Sequence, residues 1–171
     1  MHIRLASLSD ATAISRLVSS LATQDIAVDC SAEGARTLRS SMEPSAIERY
    51  LPSGYRYHVA EESGEILGVV GTRDNTHLYH LCVAESHHCH GIATALWRVA
   101  HRACLTAGTP GACTVHSSRF ALPLYQKLGF MPVGPEDERG GVCSTPLRLT
   151  EHTPNVALAG EREGPVEPRP H

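Results

Sequence analysis

The sequence predicts a mixed α/β fold, a central mixed β-sheet with helices on both faces. Three observations predict it. Short apolar, strand-like runs alternate with amphipathic helical segments along most of the chain. The apolar run from His77 to Val83 passes through a short polar loop into a helix opened by Gly91, a turn common in α/β proteins. The size is that of about one domain: 171 residues, 42% hydrophobic and 19% charged, are enough for a continuous core and typical of a soluble globular protein.

The elements follow in order. His2 to Ala6 reads as a short first strand. Ser9 or Asp10 then caps a helix whose apolar positions Ile14, Leu17, Val18 and Leu21 recur at helical spacing. Asp25 to Ser31 reads as an irregular turn. A second helical region covers Glu33 to Leu51 and breaks before Pro44, because the residue preceding a proline is pushed out of the helical region. Tyr55 to Glu61 and Glu65 to Arg73 form a hairpin joined through Glu62-Ser63-Gly64. His77 to Val83 is the next strand, and Gly91 to Ala107 is an amphipathic helix carrying Ile92, Leu96, Val99 and Ala103. Ala112 to His116 is a strand, Phe120 to Leu128 a helix, and strands near Phe130 and at Val142 to Leu149 close the fold. From Glu151 onward the chain is polar, with Pro154, Pro165, Pro168 and Pro170 and little to bury. The expected organisation is one domain over 1–150 and a disordered tail over 151–171.

Composition excludes several function classes. The net charge is −3 and Lys127 is the only lysine, so no basic stripe is available to follow a nucleic-acid backbone. No apolar run approaches the roughly 20 residues that span a bilayer, and MHIRLASLSD lacks a secretory apolar region, which points to a cytoplasmic protein without membrane contact. Cys30, Cys82, Cys89, Cys104, Cys113 and Cys143 are scattered without a C-x-x-C pair, so reduced and mostly buried thiols are expected.

The strand, loop and glycine-opened helix at His77 to Thr94 is a device for holding an anion. A helix start leaves several N–H groups without intrahelical partners, and the aligned peptide dipoles favour a phosphate in front of them. Gly91 supplies a position where a side chain would block close approach. Within this segment His88, Gly91 and Ala93 fall where a Gln or Arg, two residues, Gly, any residue, then Gly or Ala recur in GCN5-related N-acetyltransferases. A second segment, VHSSRFALPLYQKLGF, carries Tyr125 followed by Leu128-Gly129-Phe130, and GPEDERGGVCSTPLRL is similar to the hairpin and closing strand of the same family. The chain therefore resembles the GCN5-related N-acetyltransferase (GNAT) superfamily, over about residues 1 to 150 in element order.

The resemblance implies a sheet splayed at the cofactor site, acetyl-CoA as co-substrate, and acetyl transfer to the amine of a small molecule or peptide by direct attack in a ternary complex. It places the pyrophosphate on the loop His88, Cys89, His90, Gly91, Ile92, Ala93 and Thr94, and the pantetheine arm along the backbone of Leu81, Cys82 and Val83. Ser118 stands where the family often has an Asn that contacts the cofactor. Tyr125 matches the tyrosine that gives a proton to the departing thiolate. His77 matches a position that carries a catalytic Glu or His in some members. His80 is the alternative base, on the opposite face if the strand is regular; a structural role for either histidine, or a water chain, stays open. The stretch after the first helix would set acceptor specificity, and a homodimer is an expectation of the resemblance.

Two further readings use the same residues. A GNAT-fold acyl-CoA-binding module without catalysis is consistent with the histidine-rich loop and the lack of an obvious carboxylate base. A metal-responsive protein would use His87, His88, Cys89 and His90, but four consecutive residues cannot converge on one ion, and no second Cys/His pair has metal spacing, so no metal ligand is assigned.

Overall fold

The computed structural model describes residues 1–25, 30–109 and 112–149. Most of the expected Asp25 to Ser31 turn, and the whole expected tail over 151–171, lie outside the described residues.

The chain begins with β1 (His2–Leu5), followed by a one-turn 3-10 segment, Leu8–Asp10, that runs into α1 (Ala11–Asp25). The helix entry lies one turn earlier than its sequence signal at Ser9 or Asp10. Ser7 is the capping residue, and the Asp10 carboxylate accepts from the Ser7 N–H at 2.7 Å and the Ser7 hydroxyl at 2.9 Å. Arg4 fixes this corner, donating to both Asp10 oxygens at 2.8 and 2.9 Å and to Glu61 at 2.6 Å. The guanidinium holds the Asp10 carboxyl well below the usual carboxylate range.

Helices α2 (Ala32–Ser41) and α3 (Pro44–Tyr50) follow, broken before Pro44. β2 (Tyr55–Glu62) and β3 (Glu65–Arg73) form a hairpin whose turn residues Ser63 and Gly64 have φ of 52° and 82°, the doubly left-handed turn that suits the strand twist. β4 (His77–Val83) leads into α4 (Ile92–Thr106), then β5 (Cys113–Ser117) and α5 (Leu122–Lys127). The chain closes with β6 (Met131–Pro132), β7 (Asp137–Arg139) and β8 (Val142–Leu149).

The strand order is β1-β2-β3-β4-β5-β8-β6, with β7 paired to β8 outside this path. Every pairing is antiparallel except β4 with β5. Two cores sandwich the sheet. On one face Ile14 and Val18 of α1 and Ile47 of α3 pack on Tyr57, Val59 and Val69. On the other, Leu96, Trp97 and Ala100 of α4 and Tyr125 of α5 pack on Val70, Leu78, Leu81 and Val115. The sequence periodicity is the cause: alternate strand residues feed opposite cores, and each helix turns its apolar stripe inward.

Two irregularities set the geometry around β4 and the β7–β8 hairpin. β4 carries a bulge: Gly71 pairs with His80 and Thr72 with Leu78, which leaves Tyr79 as the extra residue. A bulge turns two successive side chains to the same face. The start of α2 is also pinned to the β7–β8 turn, where the Ser31 N–H donates to the Gly141 carbonyl at 2.8 Å. A Cβ on Gly34 would overlap the Gly141 backbone, so glycine permits this approach.

Candidate active site

β4 and β5 run parallel but pair at one register position, His77 with Thr114, where the Thr114 N–H also donates to the Thr76 carbonyl at 2.9 Å. Beyond it the strands diverge. The edge of β4 from Leu78 to Val83 therefore has no ladder partner on the β5 side, and a cavity of about 770 Å³ fills the gap. The divergence follows from what each strand is tied to: β4 stays registered on β3 from residue 77 to 83, while β5 follows β8 along its whole length.

One end of the cavity is made by the turn from β4 into α4. Gly91 caps α4 with φ 77°, and Cys89 has φ 63°. Ala95 is the first residue of the helix proper whose N–H reaches back, at 3.0 Å, to the Gly91 carbonyl. The N–H groups of Ile92, Ala93 and Thr94 precede it, at a wall of the cavity. No protein atom lies within 4 Å of a Cβ built on Gly91, so the space in front of the helix is open and glycine is required by its backbone angle. An unblocked row of N–H groups at the start of a 15-residue helix fits a pyrophosphate.

His88 does not aim into that space. Its Nε2–H donates to the Val83 carbonyl at 2.8 Å, folding the loop back onto the end of β4. The same bond occupies one carbonyl of the strand edge otherwise suited to an extended amide-bearing arm. His90 donates from Nδ1 to the His88 carbonyl at 2.7 Å and, alone among the residues singled out from the sequence, stands off the cavity wall. Among the described residues no group of three or more His, Cys, Asp or Glu side chains could hold a metal ion.

Tyr125 lines the cavity from α5. It is 7% exposed, with its ring edge-on to Phe130 at 5.9 Å between centroids. Its hydroxyl has no protein hydrogen-bond partner among the described residues. Burial, with a smaller contribution from Cys82 across the gap, pushes its pKa well above that of an ordinary tyrosine, so the proton stays on the oxygen. Ser118 also lines the cavity, but its Oγ accepts from the Ala121 N–H at 3.2 Å and so serves the turn that starts α5.

His77 and His80 share one face of the sheet, contrary to the opposite faces expected of a regular strand, because the bulge at Tyr79 shifts the alternation. His80 is buried, with Nδ1 2.9 Å from the Tyr57 hydroxyl, and burial lowers its pKa to about 4. His77 has Nδ1 2.8 Å from the Thr114 hydroxyl and its pKa lowered to about 4 by burial, then by Arg73 and His116. Both rings are neutral at pH 7. The thiols are more open than expected: Cys104 and Cys113 are buried, Cys30, Cys82 and Cys143 half-buried, and Cys89 exposed.

The far end of the cavity is formed by α1, α2 and the β7–β8 hairpin. Arg73, His116 and Arg139 line it. None of the three carries a local sequence signal, since each comes from a different strand and they converge only through the sheet order.

A family model described as an acetyltransferase (GNAT) domain matches residues 26–151. No curated protein matches the chain. Among solved structures, the PaiA N-acetyltransferase of Thermoplasma acidophilum in complex with coenzyme A superposes with a TM-score of 0.72 at 16% identity, over 88% of this chain and 100% of that one. A GCN5-related N-acetyltransferase from Rhodopseudomonas palustris gives 0.69 at 18% identity, over 88% and 95%. The aminoglycoside 6'-N-acetyltransferase of Enterococcus faecium gives 0.63 at 15% identity, over 86% and 96%. At these identities the superpositions establish a shared fold.

Proposed function

The chain belongs to the GNAT acetyltransferase family, and from that membership we propose an acetyl-CoA-dependent N-acetyltransferase acting on the primary amine of a small molecule or peptide. The observation that carries this reading is the divergence of β4 from β5, which opens one cavity onto both the start of α4 and the Tyr125 hydroxyl. The domain is read as residues 1–150.

The residues divide the work. The N–H groups of Ile92, Ala93 and Thr94 would hold the pyrophosphate, and the open edge of β4 would pair with the pantetheine amides through Leu81 and the Val83 N–H, the backbone of Cys82 facing Val69 of β3. Acetyl-CoA supplies the acetyl group as a thioester. The acceptor nitrogen forms the new bond to the acetyl carbon, the carbon–sulfur bond breaks, and Tyr125 gives its proton to the sulfur. The proton lost by the amine goes to His77 or to water beside it. A base with a pKa near 4 takes a proton poorly from a free ammonium but readily from an amine that has already bonded to carbon. Attack within a ternary complex needs no enzyme nucleophile.

The test is calorimetric titration of the purified chain with acetyl-CoA, using desulfo-CoA and adenosine as controls, followed by thiol-release assays with amines. Micromolar binding that requires the pyrophosphate, followed by release, is the expected result. Binding without release from any amine would support the catalytically inactive CoA-binding module instead, and no binding at millimolar ligand would remove both readings.

A further inference from the structure

The far end of the cavity concentrates positive charge and offers no carboxylate in return. Arg73 stands at the end of β3, His116 on β5 and Arg139 on β7, beside His77. Among the described residues no Asp or Glu lines the cavity. Among the described residues Arg73 Nε lies 3.7 Å from Asp74, and Arg139 Nε lies 3.2 Å from Asp137. Those carboxylates are 71% and 59% exposed, so water screens both pairs. Both contacts engage Nε, which leaves the terminal nitrogens of each guanidinium for another partner.

Arg73, His116 and Arg139 all line this one cavity. His116 has its pKa lowered by burial and then by the charges of Arg139 and Arg73, and its ring lies 5.5 Å from that of His77. With the histidines neutral, the permanent charges on the cavity lining are Arg73 and Arg139, 44% and 70% exposed, and Lys127 from α5, and none of them is negative. A polycationic acceptor would meet like charge there, with nothing to pair with. An amine that also carries an oxyanion would meet two guanidinium forks suited to carboxylate or phosphate. The same field favours the neutral, nucleophilic form of the amine, because nearby like charge disfavours ammonium.

We propose that the acceptor is a small amine bearing an oxyanion, a carboxylate or a phosphate, held by Arg73 and Arg139 while its amine faces Tyr125. This rests on the transferase reading and adds the class of acceptor to it.

The experiment compares matched amines on the full chain: each common α-amino acid against its amide, phosphoethanolamine against ethanolamine, and spermidine as a polycation. Thiol release from acetyl-CoA gives kcat/KM, and calorimetry gives acceptor binding with and without desulfo-CoA. At least one oxyanion-bearing amine is expected to exceed its matched partner about tenfold, the scale of one charge-assisted hydrogen bond. The acid and phosphate arms distinguish the two oxyanions. In Arg73→Gln and in Arg139→Gln that preference is expected to fall about tenfold, whereas a packing role would slow both members of a pair and leave their ratio intact. Equal rates within every pair, a preference for spermidine, or an unchanged ratio in both variants overturns the proposal while leaving the transferase reading standing. Silence from every amine when CoA is bound overturns the proposal together with the transferase reading, in favour of the CoA-binding module. Absence of CoA binding overturns the transferase reading instead; selective binding of acids over their amides to the protein alone, lost in the two variants, would then still support the cationic site, and its absence would overturn it.

Discussion

The two ends of the cavity are built from different materials. At the α4 end the proposed recognition groups are backbone N–H groups from three consecutive residues, Ile92 to Thr94, set by the left-handed conformation of Gly91. At the other end they are side chains from β3, β5 and β7, which meet only because the sheet order brings β5 beside both β4 and β8. Backbone recognition tolerates drift in side-chain identity and suits a constant ligand. Side-chain recognition changes with each substitution and suits a ligand that differs between relatives. Tyr125 stands between the two, and changes at each station are expected to affect different measured quantities.

The largest effect is expected at Tyr125. Tyr125→Phe removes the proposed proton donor but not the ring that packs on Phe130, and the lost hydroxyl has no protein partner among the described residues. Turnover should fall about 100- to 1000-fold, the usual worth of a positioned acid, while CoA affinity and melting temperature hardly move. A rate close to that of the wild type, measured by thiol release at saturating acetyl-CoA, would exclude this tyrosine as the donor.

The acceptor side is also the titratable side, and the expected sign follows from the histidines. His80 has a folded pKa of about 4 against roughly 6.5 in the unfolded chain. The unfolded state therefore binds more protons between those values, and stability is full above pH 6.5 and falls as pH drops towards 4. The loss at the lower limit is about 3 kcal/mol from this one residue. Urea unfolding at pH 7 and pH 4.5 should show a steeper loss for the wild type than for His80→Gln, which keeps a polar partner for Tyr57. Equal losses in the two proteins would mean that His80 is already protonated in the fold. The neutral state of His77, whose pKa is also about 4, further predicts no inflection near pH 6.5 in kcat from a catalytic histidine.

At the backbone end the expected effect is smaller. Gly91→Ala places a Cβ on a residue with φ 77° but meets no protein atom within 4 Å, so the strain alone costs about 1 to 2 kcal/mol. CoA binding should weaken about tenfold in calorimetry if the added methyl also holds the pyrophosphate off the N–H groups. Lost stability with unchanged CoA affinity would assign the glycine to the turn alone.

How much of this was legible in the sequence divides along the same line. The bounds of β4 at His77 and Val83, and the opening of α4 at Gly91, are local signals, and the structure places both elements where the sequence puts them. The bulge at Tyr79 left no mark, since a tyrosine in an apolar run looks like any other strand residue, and it reversed the facing of His77 and His80. β7 is three exposed residues, Asp137–Arg139, with no alternation of burial to announce a strand. The resemblance points to a hairpin here but gives Arg139 no role, so the cationic end has no signal of its own in the sequence. The cap at Ser7 is not a local signal, because its partner Asp10 is held by Arg4, a contact that spans the strand and the helix start.

The smallest effect separates the two materials most sharply. His88 occupies the position where a contact to phosphate is expected from resemblance, yet its Nε2–H is spent on the Val83 carbonyl at 2.8 Å. If this bond is its main work, His88→Ala should destabilise the protein in the absence of any ligand by about 1 kcal/mol, the net worth of one hydrogen bond. CoA affinity should then fall only a few-fold, through a loosened loop. A ring that instead turns outward to meet phosphate would leave the free protein's melting temperature untouched and weaken CoA alone. Thermal unfolding of the free variant therefore tells whether a side chain at this end binds the ligand or holds in place the backbone that does.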